Sequence, residues 1–384
     1  MKRILFHYSV FNTGGAEMSL VRLTRLFVNR GWHVDLVLNI NKGDLEHKLD
    51  PRVNIKHLRT ISFHNRVNTS SRLVEKLITV SSYLIYFFSL LQQFFNEMSY
   101  IFKKYDVAVI GLHGLSPRFC CKVVRANKCL HWIRNDLAKC DSDEKARRNI
   151  IKYSDYTDAY ICVAKQCKDS FDNIFPNLES RSHLVYNVID VDDMERKLSK
   201  SFNPYPDVTL PVVLSVCRLD NKSKAIFRML NVHKRLTELG YDFHWYVLGD
   251  GPDKNKMFEK IGEYNLSDRF HLVGRVSNPF PFYKYATFVA IVSYYEGLCG
   301  VTNEAKVSGK AVVSTLVSGV TEQLINNKSG MIVDNDEEAI IGGIKELLDN
   351  KIKRRILEGN PLASAILNDN AKYDKLLSII SDGE

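Results

Sequence analysis

Val289 to Glu304 reads VAIVSYYEGLCGVTNE, and the order of its parts decides the fold. An apolar run, Phe288 to Val292, predicts a buried strand. Ser293, two tyrosines and Glu296 leave it, the turn Gly297 to Gly300 follows, and a helical pattern begins around a second carboxylate, Glu304. Strand, glycine turn and helix start together present backbone N–H groups and the positive end of a helix dipole to an anion. Glu296 stands at the strand's exit and Glu304 in the first turns of the helix. One carboxylate can therefore face a ligand of the turn at its reactive end and the other further back. Ala305, Val307, Ala311 and Val312 are the expected buried positions of that helix. A strand-turn-helix alone is an ordinary connection of α/β proteins. The second carboxylate at a fixed offset, with basic residues upstream, sets this one apart.

Upstream, the same rhythm runs back to Val212. A strand (Val212 to Val216) enters the polar loop Cys217 to Lys224, and a helix spans about Ala225 to Leu239. Then come a strand, Phe243 to Leu248, the turn Gly249-Asp250-Gly251-Pro252, a helix, and Phe270 to Gly274. Downstream, Ala311 to Ser314 and Met331 to Val333 are strands, and helices close the chain from Glu337. The first half shows the same alternation. Ile4 to Val10 breaks at Phe11-Asn12-Thr13-Gly14-Gly15, a helix runs to Gly31, and Val34 to Leu38 is the next strand. Further strands are expected at Asp106 to Leu112, Lys128 to Ile133, Tyr160 to Ala164 and His183 to Tyr186. The loop at Gly14-Gly15 lacks the G-x-G-x-x-G dinucleotide fingerprint, which speaks against a nicotinamide dehydrogenase. SKSFNPYPDVTLP, residues 199–211, holds three prolines and reads as a linker. Two parallel, doubly wound sheets follow from the alternation.

A chain of 384 residues has room for two such domains. The formal net charge of +9 is unevenly spread. Residues 1–200 hold 31 Lys and Arg against 21 Asp and Glu, a net +10, and the remainder is nearly balanced. The first half therefore favours an anionic surface or acidic ligand. No tight basic run with interleaved aromatics suggests nucleic acid. Eight cysteines, Cys120-Cys121 adjacent and none in metal spacing, point to a reduced, cytoplasmic compartment. MKRILFHYSV is not a signal peptide, and no run reaches a membrane span. Arg66, Arg72 and Lys76 precede the aromatic stretch SSYLIYFFSLLQQFFNEMSYIF, in which Glu97 is the only charge. The favoured reading is one or two long, mostly buried helices of the first domain, since aromatic stripes usually pack in cores. The competing reading is an apolar face with basic flanks in a membrane interface.

Arg218 and Lys224 sit in the loop after the first strand of the second domain. Facing the Gly297–Gly300 turn across the sheet top, they form a receptor for a diphosphate: Arg supplies a planar fork and Lys a point charge. Lys222 is left to solvent. Cys299 is read as a small packing residue, because nothing near it in sequence would activate a thiol.

With these residues in place, the chain resembles a retaining GT-B glycosyltransferase of the large group 1 family, glycosyltransferase family four. The resemblance rests on GGAE at 14–17, SVCRLDNKSKAI at 215–226, VLGDGP at 247–252, NPFPFYKYA at 278–286 and YEGLCGVTNEA at 295–305. It implies two Rossmann-like doubly wound domains facing a central cleft. Residues 1–200 would bind the acceptor, 207–350 the nucleotide sugar, and the helices of 351–384 would pack back toward the first domain. The implied activity is transfer of a sugar, with retention, from a nucleotide-sugar donor to a glycan or lipid-linked glycan. UDP-sugars would be preferred, and the setting would be bacterial surface polysaccharide synthesis.

In that reading Arg218 and Lys224 neutralise the leaving diphosphate, helped by backbone N–H groups of Gly297, Leu298, Cys299, Gly300 and Val301. Glu304 binds the ribose and Glu296 the transferred sugar. Gly14 and Gly15 let the first domain approach the diphosphate, Gly249 shapes its turn, and backbone near Gly274 and Arg275 holds the base. No metal or cofactor is implied. Cytoplasmic location, with peripheral contact at an anionic membrane, fits such an acceptor. One departure stands out. Where many relatives carry a histidine, in Trp-Ile-His-x-Asp, this chain has Trp132-Ile133-Arg134-Asn135-Asp136. His131 lies on the opposite face of an alternating strand. Arg134 is no base, but it can hold the leaving phosphate or the acceptor. The departure keeps an alternative in view: a weakly active or inactive relative that binds a glycan or a partner. A nucleotide-sugar epimerase has the same architecture, but no acid/base set can be placed for it.

Overall fold

Seven strands of the first half form one all-parallel sheet. They are β1 (Arg3–Tyr8), β2 (His33–Ile40), β3 (Asn54–Arg59), β4 (Lys104–Ile110), β5 (Arg125–Ile133), β6 (Ala159–Cys162) and β7 (Ser182–Leu184), in the order β3-β2-β1-β4-β5-β6-β7. Six strands of the second half form another: β8 (Val212–Val216), β9 (His244–Leu248), β10 (Phe270–Gly274), β11 (Phe288–Ile291), β12 (Val312–Thr315) and β13 (Met331–Val333), ordered β10-β9-β8-β11-β12-β13 and again parallel. The computed structural model describes the chain except residues 13, 42, 61–71, 140–143, 201 and 383–384; the side chains of 72–80, 82 and 83 also lie outside the description. Arg66 and the side chains of Arg72 and Lys76 are therefore not described.

The strands are short and apolar because helices cover both faces: β6 and β11 are buried at every position. Both sheets reverse their winding between the first and fourth strands of the set, β1 against β4 and β8 against β11. Loops leaving the carboxyl ends of such neighbours diverge and open a crevice. Helix α1 (Gly15–Asn29) leaves β1 into the first crevice, and the loops after β8 and β11 flank the second. The chain's last long helix, Asp369–Ser381, packs on the first half. Its Tyr373 hydroxyl accepts from Trp32 Nε1 at 2.9 Å and its ring meets Phe27 edge-on.

Three expectations change. β3 was not anticipated; its residues Lys56, His57 and Arg59 break the apolar pattern at the sheet's edge. The helix after Glu304 ends at Val307, so Ala311 and Val312 belong to the turn and strand that follow it. The aromatic stretch forms one helix, α2 (Arg72–Ile101), and its described apolar side chains are mostly exposed instead of buried. Its polar residues Gln92, Asn96 and Glu97 are turned to the body, and they find hydrogen-bond partners there. No helix of the described residues is long and apolar enough to cross a membrane.

Candidate active site

The β8–β11 neighbourhood brings together what the sequence separates by about seventy residues. Phe288 pairs with Val213 and Val289 with Leu214, so the loops after these strands emerge side by side. The β8 loop makes one short helical turn, Asn221–Lys224, capped by the Asp220 side chain on the Lys222 N–H. Ala225 then takes a left-handed φ of 51° and starts the next helix. That turn aims Lys224 across to the β11 loop, where its Nζ lies 2.6 Å from Glu296 Oε1. Ser293 Oγ donates to the same oxygen at 2.7 Å. Burial works against the Lys224 ammonium, but the Glu296 carboxylate more than offsets it and holds the group protonated. Arg218 is exposed beside this pair; its carbonyl accepts the Asp220 N–H at 2.8 Å, and its guanidinium makes no hydrogen bond or ion pair among the described residues.

Glycines shape the floor beneath Arg218. Gly249 has φ 141°, and a Cβ there would overlap the Cys217 carbonyl oxygen. Its N–H donates to the carbonyl of Gly274, itself at φ 85°. A Cβ at Gly251 would strike the Leu219 carbonyl, and Leu219 N–H bonds Asp250 O at 3.1 Å. The Gly249–Pro252 turn thus lies directly under the Arg218 loop. Arg275 is half exposed, paired with Asp44 of the first half and 3.6 Å from Asp250.

The Gly297–Gly300 turn is buried on the side facing the first half. A Cβ at Gly297 would run into the Arg134 carbonyl oxygen, and Gly319, φ 78°, passes as closely over the Gly297 carbonyl. Leu298 and Cys299 are buried; burial pushes the Cys299 thiol up to about 11, which makes it inert at neutral pH. The Cys299 carbonyl accepts from Gln323 Nε2 at 2.8 Å. Gly300 opens the helix Gly300–Val307, with Val301 in its first turn, so the N–H groups there lack intrahelical partners.

Glu304 and Glu296 stand apart. Glu304 Oε1 takes Arg22 of α1 at 2.9 Å, and its Oε2 accepts from the Tyr283 hydroxyl at 3.2 Å. Arg134 is buried under the turn. Its Nε donates to Gly111 O at 2.8 Å and its Nη1 to Asn187 Oδ1 at 3.1 Å. Its neighbour Asp136 accepts from Ser318 Oγ at 2.7 Å across the two halves. His131 is fully buried on the other face, and burial takes its imidazole down to about 4. Gly14 is extended, with the Glu17 carboxylate folded over its Cα, and Gly15 is open. Burial raises the Glu17 carboxyl, with Arg134 and Arg218 pulling the other way.

Geometry therefore gathers Arg218, Lys224, Glu296 and the glycine turn at one crevice, and places Glu304 beyond it toward α1. Gly14, Gly15 and Arg134 face it from the other half. Sequence reasoning missed Arg22, Tyr283, Ser293 and Glu17. Glu17 and Tyr283 lay within the motifs GGAE and NPFPFYKYA, and Ser293 three places before Glu296. Arg22 left no local signal, since only the docking of the two halves brings it to Glu304.

Two doubly wound sheets facing each other across glycine-lined turns are the architecture of GT-B glycosyltransferases. Anabaena HepE in complex with UDP and glucose superposes with a TM-score of 0.76 at 16% identity, covering all of both chains. Staphylococcus aureus TarM, in complex with fondaparinux, alpha-GlcNAc-glycerol and UDP, gives 0.73 at 13% over the same extent. Residues 199–360 match the family model of glycosyl transferases group 1. Over this second half the chain is similar to the group 1 glycosyl transferases. It is 29% identical over 219 residues to an uncharacterized glycosyltransferase of Methanocaldococcus jannaschii, 55% of this chain and 53% of that one. It is 28% identical over 196 residues to the N-acetylgalactosamine-N,N'-diacetylbacillosaminyl-diphospho-undecaprenol 4-alpha-N-acetylgalactosaminyltransferase of Campylobacter jejuni, 50% and 51% of the two chains. The matches span about half the length of these curated relatives.

Proposed function

We propose that the protein is a retaining, metal-independent glycosyltransferase of family four. It would move a sugar from a nucleotide sugar, UDP preferred, to a glycan or lipid-linked glycan in bacterial surface polysaccharide synthesis. The observation that carries this reading is the Lys224–Glu296 pair beside the exposed Arg218, at the crevice between β8 and β11. Breaking the bond between the anomeric carbon and the diphosphate oxygen puts negative charge on that oxygen. In this reading Arg218, Lys224 and the helix start at Gly300 would meet that charge. Glu296 orients Lys224 and has its second oxygen for a sugar hydroxyl; Glu304 is assigned to the ribose. UDP is in line with the complexes of HepE and TarM, and a lipid-linked acceptor with the name of the Campylobacter relative. Cytoplasmic location with peripheral contact at an anionic membrane completes the reading.

Thermal denaturation with a panel of UDP- and GDP-sugars tests it. A cognate donor at about a hundred times its Kd adds about 2.7 kcal/mol of apparent stability, and Glu304→Ala abolishes most of that gain. Neither stabilisation nor turnover by any donor would overturn the proposal. One observation favours a second reading, a non-catalytic relative that binds a glycan or partner: Arg134 spends Nε and Nη1 on protein acceptors. Donor hydrolysis or transfer by the purified protein excludes it.

A further inference from the structure

The exposed side of α2 has the wrong polarity for a helix of a water-soluble fold. Ser89, Gln92, Gln93, Asn96, Glu97 and Tyr100 recur at helical spacing and face the protein. Asn96 Nδ2 donates to Leu58 O at 2.9 Å, Gln92 bonds the Thr60 hydroxyl, and Glu97 pairs with Arg118. The opposite side carries Phe87, Phe88, Leu91, Phe94, Phe95 and Met98. At 100° per residue these span an arc of about 120°, with Phe94 57% and Phe95 68% exposed. From Leu77 to Phe102 the only charge is Glu97, and it is turned inward. Further toward the N-terminus, Leu84 to Phe88 are each more than two-fifths exposed. Five consecutive positions cover the whole circumference, so the helix stands clear of the body there.

We propose that α2 lies in the interface of an anionic membrane, its aromatic arc among the upper acyl chains and the cleft held above the headgroups. The breadth of the arc decides between occupants. A second copy would pair along a narrow a/d seam with polar residues on both sides, whereas this arc is broad, aromatic and without any charged rim of its own. Cations collect at its end instead. Lys103 and Lys104 follow the helix, Lys104 pairs in register with Arg125 on β5, and Lys122 is exposed on the next helix. An apolar, aromatic face ending in a cluster of lysines and arginine matches acyl chains below an anionic headgroup layer. The inference rests on the membrane-linked part of the proposed function and not on its donor chemistry.

Cosedimentation of the full chain with phosphatidylcholine vesicles, with and without about one third phosphatidylglycerol, tests it. Wild type is expected to pellet with the anionic vesicles, and less so as salt is raised. Phe94→Asp with Phe95→Asp, both exposed, should lower partition at least about tenfold with an unchanged circular dichroism spectrum. Lys104→Glu with Arg125→Glu should weaken binding to anionic vesicles alone. Wild type remaining in the supernatant with both vesicle types overturns the proposal. So does a dimer in gel filtration that the Phe94/Phe95 variant converts to monomer without any vesicle binding by wild type. Donor turnover with a water-soluble acceptor, measured on the same samples, separates the readings. Turnover without vesicle binding removes the docking surface and leaves the catalytic proposal. Vesicle binding without turnover does the reverse.

Discussion

At the scale of single residues, the candidate site depends on charges held in place by other charges. Lys224 is ion-paired to Glu296 at 2.6 Å, so its ammonium has a fixed position before any donor arrives. Lys224→Ala is therefore expected to lower the transfer rate about 10²–10³-fold while leaving nucleotide affinity less affected, read as kcat against KM. Full activity in that variant would remove Lys224 from the reaction. Glu17 behaves differently. Burial raises its carboxyl above the ordinary value, so the unfolded chain ionises first as pH rises. Folding is then penalised above the unfolded value and not at acid pH, where both states are protonated. Glu17→Gln should raise Tm at pH 7, and the gain should vanish near pH 4. A gain that is equal at both pH values would show that Glu17 is not buried as a carboxyl.

At the scale of elements, glycine turns do what side chains cannot. Gly249 combines φ 141° with the Cys217 carbonyl packed against its Cα, so the turn after β9 supports the loop after β8. Gly249→Ala should cost roughly 2–4 kcal/mol in urea denaturation, from strain and lost packing together. Gly300, with open space around it, should tolerate alanine far better. The GDGP and EGLCG turns were legible in the sequence because only glycine between polar residues marks such bends. Helix α2 was misread at the same scale. Its apolar residues have helical spacing whichever side faces the body, and periodicity carries no sign that distinguishes core from interface. Only the partners of Asn96 and Gln92 on the body show which face turned inward.

At the scale of the whole molecule, the two halves meet through a shared apolar cluster and a set of long-range polar contacts. Ser318 Oγ donates to the buried Asp136, Arg22 pairs with Glu304, and the Glu322 carboxylate accepts the Lys165 N–H. Arg22 occupies the carboxylate assigned to the ribose, so donor binding and the approach of α1 act on the same group. A double-mutant cycle on Asp136→Ala and Ser318→Ala should show a coupling of about 1–3 kcal/mol, the range for a hydrogen bond to a buried carboxylate. Additive effects would mean that the seam is held elsewhere.

The sequence by itself determined the strands other than β3, the glycine turns and the loops that bear Arg218, Lys224 and Glu296. These follow from local rules: apolar runs, bends that exclude a Cβ, and cations left at strand ends. Tertiary structure decided which loops become neighbours, through the order β10-β9-β8-β11-β12-β13, and which residues of one half reach the other. Arg22 on Glu304 and the inside-out face of α2 belong to that second group. The contacts that define them join residues that no local pattern relates, and only the packing of the folded halves brings them together.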